Sequence, residues 1–186
     1  MIDDINKYRL FNKLKSVYRF STVENRKEST AEHTWSAMIL ADFFLTKTNI
    51  KLDRLKVYEL LMYHDVAEIY AGDTPLHPEI KTTNKKEKEE NAAKKLKKDL
   101  PKPINKKFYD LFTEFTEQKT KEAKFAKAID ALDAEIHELD YKEDWKGWTK
   151  EFLIEKKAHL FEDFPELKKV FYDLLVYMDE NDYFEQ

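Results

Sequence analysis

Cysteine is absent from the 186-residue chain, so neither a disulfide framework nor a thiolate metal site can form; any metal site must use imidazole and carboxylate ligands. Glycine occurs twice and proline five times, which is poor provision for the reversals of a turn-rich β fold. With abundant Lys, Glu, Leu and Ala, the composition points to an all-α protein with short connections. Positive charge is not in excess: 33 Lys and Arg face 37 Asp and Glu, a formal net charge of -4, which argues against the basic field that drives binding to nucleic-acid backbones. No apolar run approaches a bilayer span, and the opening MIDDINKYRL carries two acids and no apolar leader core. The expectation is a cytoplasmic protein that acts on a small molecule, with no nucleic-acid or membrane partner. What is present is core material: 42% hydrophobic and 14% aromatic residues fill one domain of this length without disulfide or metal staples, so residues 1–186 are expected to form a single helical domain.

Periodicity divides that domain into helices. Ile5, Tyr8, Leu10, Phe11, Leu14 and Val17 predict an amphipathic helix over about 4–17, after which YRFSTVENRKE breaks the pattern. Ser29 and Glu32 form a capping-box signature for a second helix, with His33 on the face of Ala37, Leu40, Ala41 and Phe44. Asp53 caps a third, carrying Val57, Leu60, Leu61 and His64 and ending at Gly72. A loop, DTPLHPEIK, precedes a Lys/Glu-rich helix over 84–100 whose interleaved acids mark a solvated face. A short helix around 108–115 follows, then a long one from Thr120 with Phe125, Ile129, Leu132, Ile136 and Leu139 inward and Asp130 between Ala126 and Ala134. A last pair over about 149–160 and 165–180 completes the bundle.

The segment HDVAEIYAGD places His64, Asp65 and Glu68 within five residues on an otherwise apolar helix. His64 and Glu68, four apart, share a face. Burying an unpaired carboxylate costs several kcal/mol, so Asp65 beside an interior His64 needs a partner, and a divalent cation would satisfy both. His33, on the interior face of the preceding helix, is a candidate third ligand; Asp130, flanked by small alanines, is a candidate fourth. Singly, each has a plainer explanation, as a satisfied core histidine or an ion-pair partner. Their order along the chain favours a metal site.

In that order the chain resembles the HD-domain metal-dependent phosphohydrolases, and most nearly their 5'-deoxynucleotidase branch. The similarity lies in YRFSTVENRKESTAEH (an Arg-aromatic opening with a Ser-x-x-Glu-His ending), YHDVAEIYAGDTP (His-Asp-x-x-Glu and a Gly-Asp turn) and TKEAKFAKAIDALDAEIHE (Lys-x-x-Asp), from about residue 18 to 138. It departs in the loop TPLHP and in the spacing from Arg19 to His33, both of which bear on substrate choice. The resemblance implies a helical HD-domain bundle with His33, His64, Asp65 and Asp130 as ligands of a divalent ion: Mn, Co, Fe, Ni, Zn or Mg. It makes Glu68 the acid/base residue and gives Asp73 a sugar hydroxyl, with Glu68 and Asp73 binding a second cation as the alternative. Arg19 becomes the phosphate clamp and Phe20 a surface for sugar or base; without the resemblance, Arg19 reads as an interhelical ion pair. Glu32 is a capping residue or a support behind the metal site. The implied substrate is a deoxyribonucleoside 5'-monophosphate and the implied assembly a homodimer through the apolar C-terminal helices. Two competitors stand beside this: a hydrolase of a signal nucleotide, disfavoured because Ile69 follows Glu68 where that branch has an acidic pair, and a non-catalytic binding module stapled by its metal, disfavoured by Glu68 itself.

Overall fold

The computed structural model describes residues 1–80 and 83–184. Among them α-helix dominates, with one two-stranded sheet, and no helix is long and apolar enough to cross a membrane. The expected first helix is two pieces: α1 (Ile2–Tyr8), then a 3-10 stretch, Arg9–Ser16. Ile5 and Tyr8 stay exposed while Leu14 is buried and Phe11 partly so. A three-residue repeat aligns Phe11 with Leu14, which is the pair that meets the core.

The stretch expected only to break the pattern is a β-hairpin, β1 (Tyr18–Val23) with β2 (Arg26–Ser29). Its two-residue Glu24-Asn25 loop puts Glu24 at φ 51°, as the first position of mirror-image hairpin turns requires. The register slips between Tyr18 and Thr22, and the irregularity re-aims side chains: Arg19, Phe20 and Ser21, which regular pleating would alternate between faces, all line one cavity. Asp144 anchors the hairpin by accepting from the Thr22 N–H at 2.6 Å and the Thr22 hydroxyl at 2.8 Å.

The helix α2 (Thr30–Lys47) opens on the expected capping box: the Glu32 N–H donates to Ser29 Oγ, and the Glu32 carboxylate accepts from the Ser29 N–H at 2.9 Å. Arg26 pairs with the same carboxylate, whose pKa falls to about 2 through the Arg26 and Ser29 hydrogen bonds. Glu32 is thus a capping residue and does not support the metal region. Ser29→Ala is expected to cost about 1 kcal/mol of stability, read as a shifted denaturant midpoint with unchanged slope.

Asp53 caps α3 (Arg54–Tyr63) through the Lys56 N–H. The single helix expected from Asp53 to Gly72 breaks at His64: residues 64–67 form tight turns before the short α4 (Glu68–Ala71). The cause is local. His64 Nδ1 donates to the Leu61 carbonyl at 2.6 Å, the acceptor that a continuing α-helix would offer to Asp65, and the next backbone bonds tighten to i→i+3 spacing. Gly72 then ends α4 at φ 73° with open space where a Cβ would stand; the backbone conformation, not crowding, calls for glycine.

Residues 73–80 are irregular apart from a turn, while Lys81, the end of the expected loop, lies outside the described residues. Helices α5 (Lys85–Asp99), α6 (Ile104–Glu117), α7 (Lys121–Glu138), α8 (Lys150–Lys157) and α9 (Pro165–Glu180) follow. The α6 helix is longer than the 108–115 span because its exposed first turn carries little apolar signal. At the centre α2, α3 and α7 pack on one another, with Ala37, Ala41, Leu60, Leu61, Ala126 and Ile129 wholly buried. The alanines keep the three backbones close enough for short polar side chains to meet between them.

Candidate metal centre

His33 lies in the second turn of α2, its ring wholly within the α2–α7 interface. Both ring nitrogens face α7: Nε2 is 2.9 Å from Asp130 Oδ1 and Nδ1 is 3.0 Å from Asp133 Oδ2. Asp133 also accepts from the Ser36 hydroxyl at 2.7 Å. The i, i+3 spacing of the two aspartates on α7, matched by that of His33 and Ser36 on α2, builds this ladder. His64 commits Nδ1–H to the Leu61 carbonyl, so Nε2 is the nitrogen left for a ligand; it lies 2.9 Å from Asp65 Oδ2 and 3.5 Å from Asp130 Oδ1. His64 Nε2 is buried and has no well-aligned hydrogen-bond partner.

One donor atom each from His33, His64 and Asp130 come within 4.8 Å of one another, a group that could hold a metal ion. Asp65 lies outside this mutually close set, but its Oδ2 touches His64 Nε2 at 2.9 Å and stands 3.8 Å from Arg19 Nη1. The structure therefore gathers three of the four expected ligands tightly and sets the fourth alongside. Two imidazole nitrogens and carboxylate oxygens, without sulfur, suit a divalent transition metal, and the orphaned Nε2 fits a cation in that place.

Electrostatics point the same way. Burial disfavours charge on His64, yet Asp65 and Asp130 outweigh it and push its pKa up to about 10. His33 is likewise raised: burial and Arg19 oppose its charge, but the two α7 aspartates prevail. Burial would raise Asp65, but the His64 imidazole holds it at about 2. Asp130 is held well below its usual value, against burial, by Lys127 at 2.7 Å and both imidazoles. The neighbouring aspartates thus favour positive charge among these side chains, which a bound cation would supply.

Glu68, buried on α4, is raised well above its usual value by burial and by the negative charge of Asp65 and Asp73; its Oε2 accepts from the Thr30 hydroxyl at 2.8 Å. Asp73 is raised by burial, which outweighs Arg19, with Asp65 adding to the shift. Arg19 Nε is 3.1 Å from the buried Glu28 carboxylate on β2. Arg19, Phe20, Asp65, Glu68, Asp73 and Asp130 all line one cavity of about 390 Å³, which extends along α7 to Trp148, Lys157 and Leu160. His77 packs between Phe20 and Trp148, ring centroids at 4.9 and 5.7 Å.

Sequence reasoning missed Asp133 and Glu28. The Asp-x-x-Asp spacing on α7 could have exposed Asp133; Glu28 had no signal once the hairpin was overlooked. Asp133→Asn is expected to weaken divalent-ion affinity by roughly 10–100-fold, measured by titration of the metal-stripped protein, with the fold unchanged by circular dichroism.

Farther along α7, Glu138 is buried and accepts from the Ser21 hydroxyl at 2.6 Å; burial pushes its pKa up to about 7. A raised folded-state pKa means that its contribution is intact below the unfolded value near 4.5 and is lost as pH rises through 7. Glu138→Gln is expected to stabilise the protein at pH 8 by on the order of 2–3 kcal/mol and to flatten the decline in stability between pH 4.5 and 7. Parallel wild-type and variant stability curves over that window would contradict this.

A family model described as HD domain matches residues 11–168. Human 5'-deoxynucleotidase HDDC2 is 29% identical over 110 residues, covering 58% of this chain and 52% of that protein; its Dictyostelium discoideum counterpart is 25% identical over 117 residues, covering 58% and 61%. The chain thus spans about half the length of the curated relatives it matches. Among solved structures, a predicted metal-dependent phosphohydrolase from Magnetospirillum magnetotacticum MS-1 superposes with a TM-score of 0.87 at 26% identity, covering 100% of this chain and 95% of that one. PH0347 from Pyrococcus horikoshii OT3, at 24% identity and a TM-score of 0.66 over 93% of this chain and 96% of that one, shares the fold.

Proposed function

The chain belongs to the HD domain family, and from that premise we propose that it is a metal-dependent phosphohydrolase that converts deoxyribonucleoside 5'-monophosphates to deoxyribonucleoside and phosphate. The observation that carries this reading is the convergence of His33, His64 and Asp130 from three helical segments beside a cavity that also takes Arg19. The substrate class follows the 5'-deoxynucleotidase named among its relatives and the metal dependence that of the Magnetospirillum structure.

In this reading His33, His64 and Asp130 hold the ion, with Asp65 as the adjoining fourth ligand. Once bound, a divalent cation supplies an acidified water and offsets charge on the phosphoryl oxygens. The remaining work belongs to the chain. Arg19, steadied at Nε by Glu28, turns its other edge to the phosphate. Glu68 accepts from Thr30 at Oε2, which leaves Oε1 to carry a proton for the departing 5' oxygen or to orient the attacking water. Asp73 takes a sugar hydroxyl; alternatively, the crowding of Asp65, Glu68 and Asp73 would be relieved by a second cation at Glu68 and Asp73. Phe20, in the wall of the same cavity, packs against the sugar or base.

The test is phosphate release from deoxyribonucleoside and ribonucleoside 5'-monophosphates and from diphosphate-bearing signal nucleotides, each with and without chelator. Chelator-sensitive release from the deoxy monophosphates is expected. Release that persists after metal is stripped, or that is confined to signal nucleotides, would refute the reading.

A further inference from the structure

The helix α2 turns His33, Ala37, Ala41 and Phe44 into the protein and three large apolar side chains away from it: Trp35, Ile39 and Phe43 are 68, 55 and 49% exposed. At four-residue spacing each stands about 40° round the axis from the one before, so the three form one continuous stripe with Ile39 at its middle. Tyr18 of β1, also exposed, extends the stripe beyond Trp35; the two residues line one open groove of about 420 Å³. Singly exposed apolar residues are ordinary, but a contiguous patch of this kind marks a surface that another body covers. Of the three tryptophans, Trp145 and Trp148 are buried and Trp35 alone is left in solvent.

The pattern says which body. A second copy laid antiparallel on α2, across a two-fold axis at Ile39, sets Ile39 against itself and Trp35 against Phe43 of the other chain, so aromatic rings meet on both sides of the axis. The rim agrees in sign. Glu32 lies in the first turn of α2 and Lys47 in the last; antiparallel pairing brings the Lys47 ammonium, 4.9 Å over the Phe43 ring, to the end that holds Glu32 of the other chain. Glu32 and Asp42, on the same side of the helix, would repel an anionic lipid surface. The four apolar side chains expose on the order of 500 Å². With the polar rim this approaches the roughly 800 Å² that each partner contributes to a standard interface.

We propose that the outer face of α2, with Trp35, Ile39 and Phe43, joins two copies of this chain in a two-fold dimer. The C-terminal helices, expected from the sequence to supply the interface, fit it less well: α9 exposes Tyr172, Val176 and Tyr177, none above 49%, and two of the three carry a hydroxyl. Covering Trp35 gives the contact an aromatic anchor of the kind that dominates interface energetics. The assignment is independent of the hydrolase reading, because the stripe lies on the side of α2 away from His33.

The chain has no cysteine, so one introduced thiol reports on its own neighbourhood. Light scattering of the full-length protein should give twice the chain mass. Ile39→Cys, whose sulfurs meet at the two-fold axis, should oxidise to a disulfide-linked dimer, while Val176→Cys on α9 should not. Ile39→Glu sets two like charges against each other and should weaken the dimer by on the order of a hundredfold or more, with circular dichroism unchanged because the side chain is exposed in the single chain. Its tryptophan emission should lie to longer wavelength than that of the wild type, since Trp35 returns to water. A monomeric wild type, an Ile39→Glu variant that stays dimeric, or cross-linking through Val176→Cys in place of Ile39→Cys would overturn the proposal; the last would move the interface to the C-terminal helices.

Discussion

Asp130→Asn is expected to abolish stoichiometric metal retention and phosphate release together. Among the described residues Asp130 is the one carboxylate in contact with both imidazoles, 2.9 Å from His33 Nε2 and 3.5 Å from His64 Nε2, and Lys127 favours its ionised form. The amide keeps the shape but removes the charge, so the site loses an anionic ligand and the counter-charge of two buried rings at once. The loss of metal affinity should exceed the roughly 10–100-fold that follows from removing a group behind a ligand, such as Asp133. Elemental analysis after desalting and initial rates at saturating manganese provide the check. A variant that retains one ion per chain and more than a tenth of the wild-type rate would remove Asp130 from the centre.

Glu68→Gln should separate chemistry from binding. The glutamine carbonyl can still accept from the Thr30 hydroxyl that Glu68 Oε2 engages at 2.8 Å, so the fold and its neighbours stay in place, while the amide cannot exchange a proton as the carboxyl, raised by burial and by Asp65 and Asp73, can. A fall in kcat of about 10²–10⁴-fold is expected, with metal content and KM little altered and the corresponding limb of the pH–rate profile gone. A kcat within tenfold of wild type would show that Glu68 does not move the proton. Loss of metal in this variant would instead assign Glu68 to a cation.

Much of this arrangement was legible because its signals are local. The capping box at Ser29 and Glu32, the caps at Asp53 and Thr120, and the glycine at position 72 each act within one helical turn, and the structure shows each of them. His33, His64 and Asp130 stood out as polar groups at apolar positions, an anomaly visible without coordinates. The hairpin was less legible: its strands are four and six residues long and only partly buried, and the slip that turns Arg19, Phe20 and Ser21 toward one cavity has no sequence period. The break at His64 was hidden as well, because residues 53–72 keep a helical apolar pattern while a side chain takes a backbone acceptor.

Residue order and composition by themselves determined an all-α chain of the HD type and which polar side chains had to be answered by a partner, since burial of charge is penalised wherever the chain folds. Only the tertiary structure decided how those side chains are answered: three of them meet between α2, α3 and α7, Asp65 lies between His64 and Arg19, and Asp133 backs His33 across one hundred positions of sequence. Contacts at that separation depend on how closely whole helices approach, which is set by the summed packing of alanines and aromatics and is written in no single stretch of the chain.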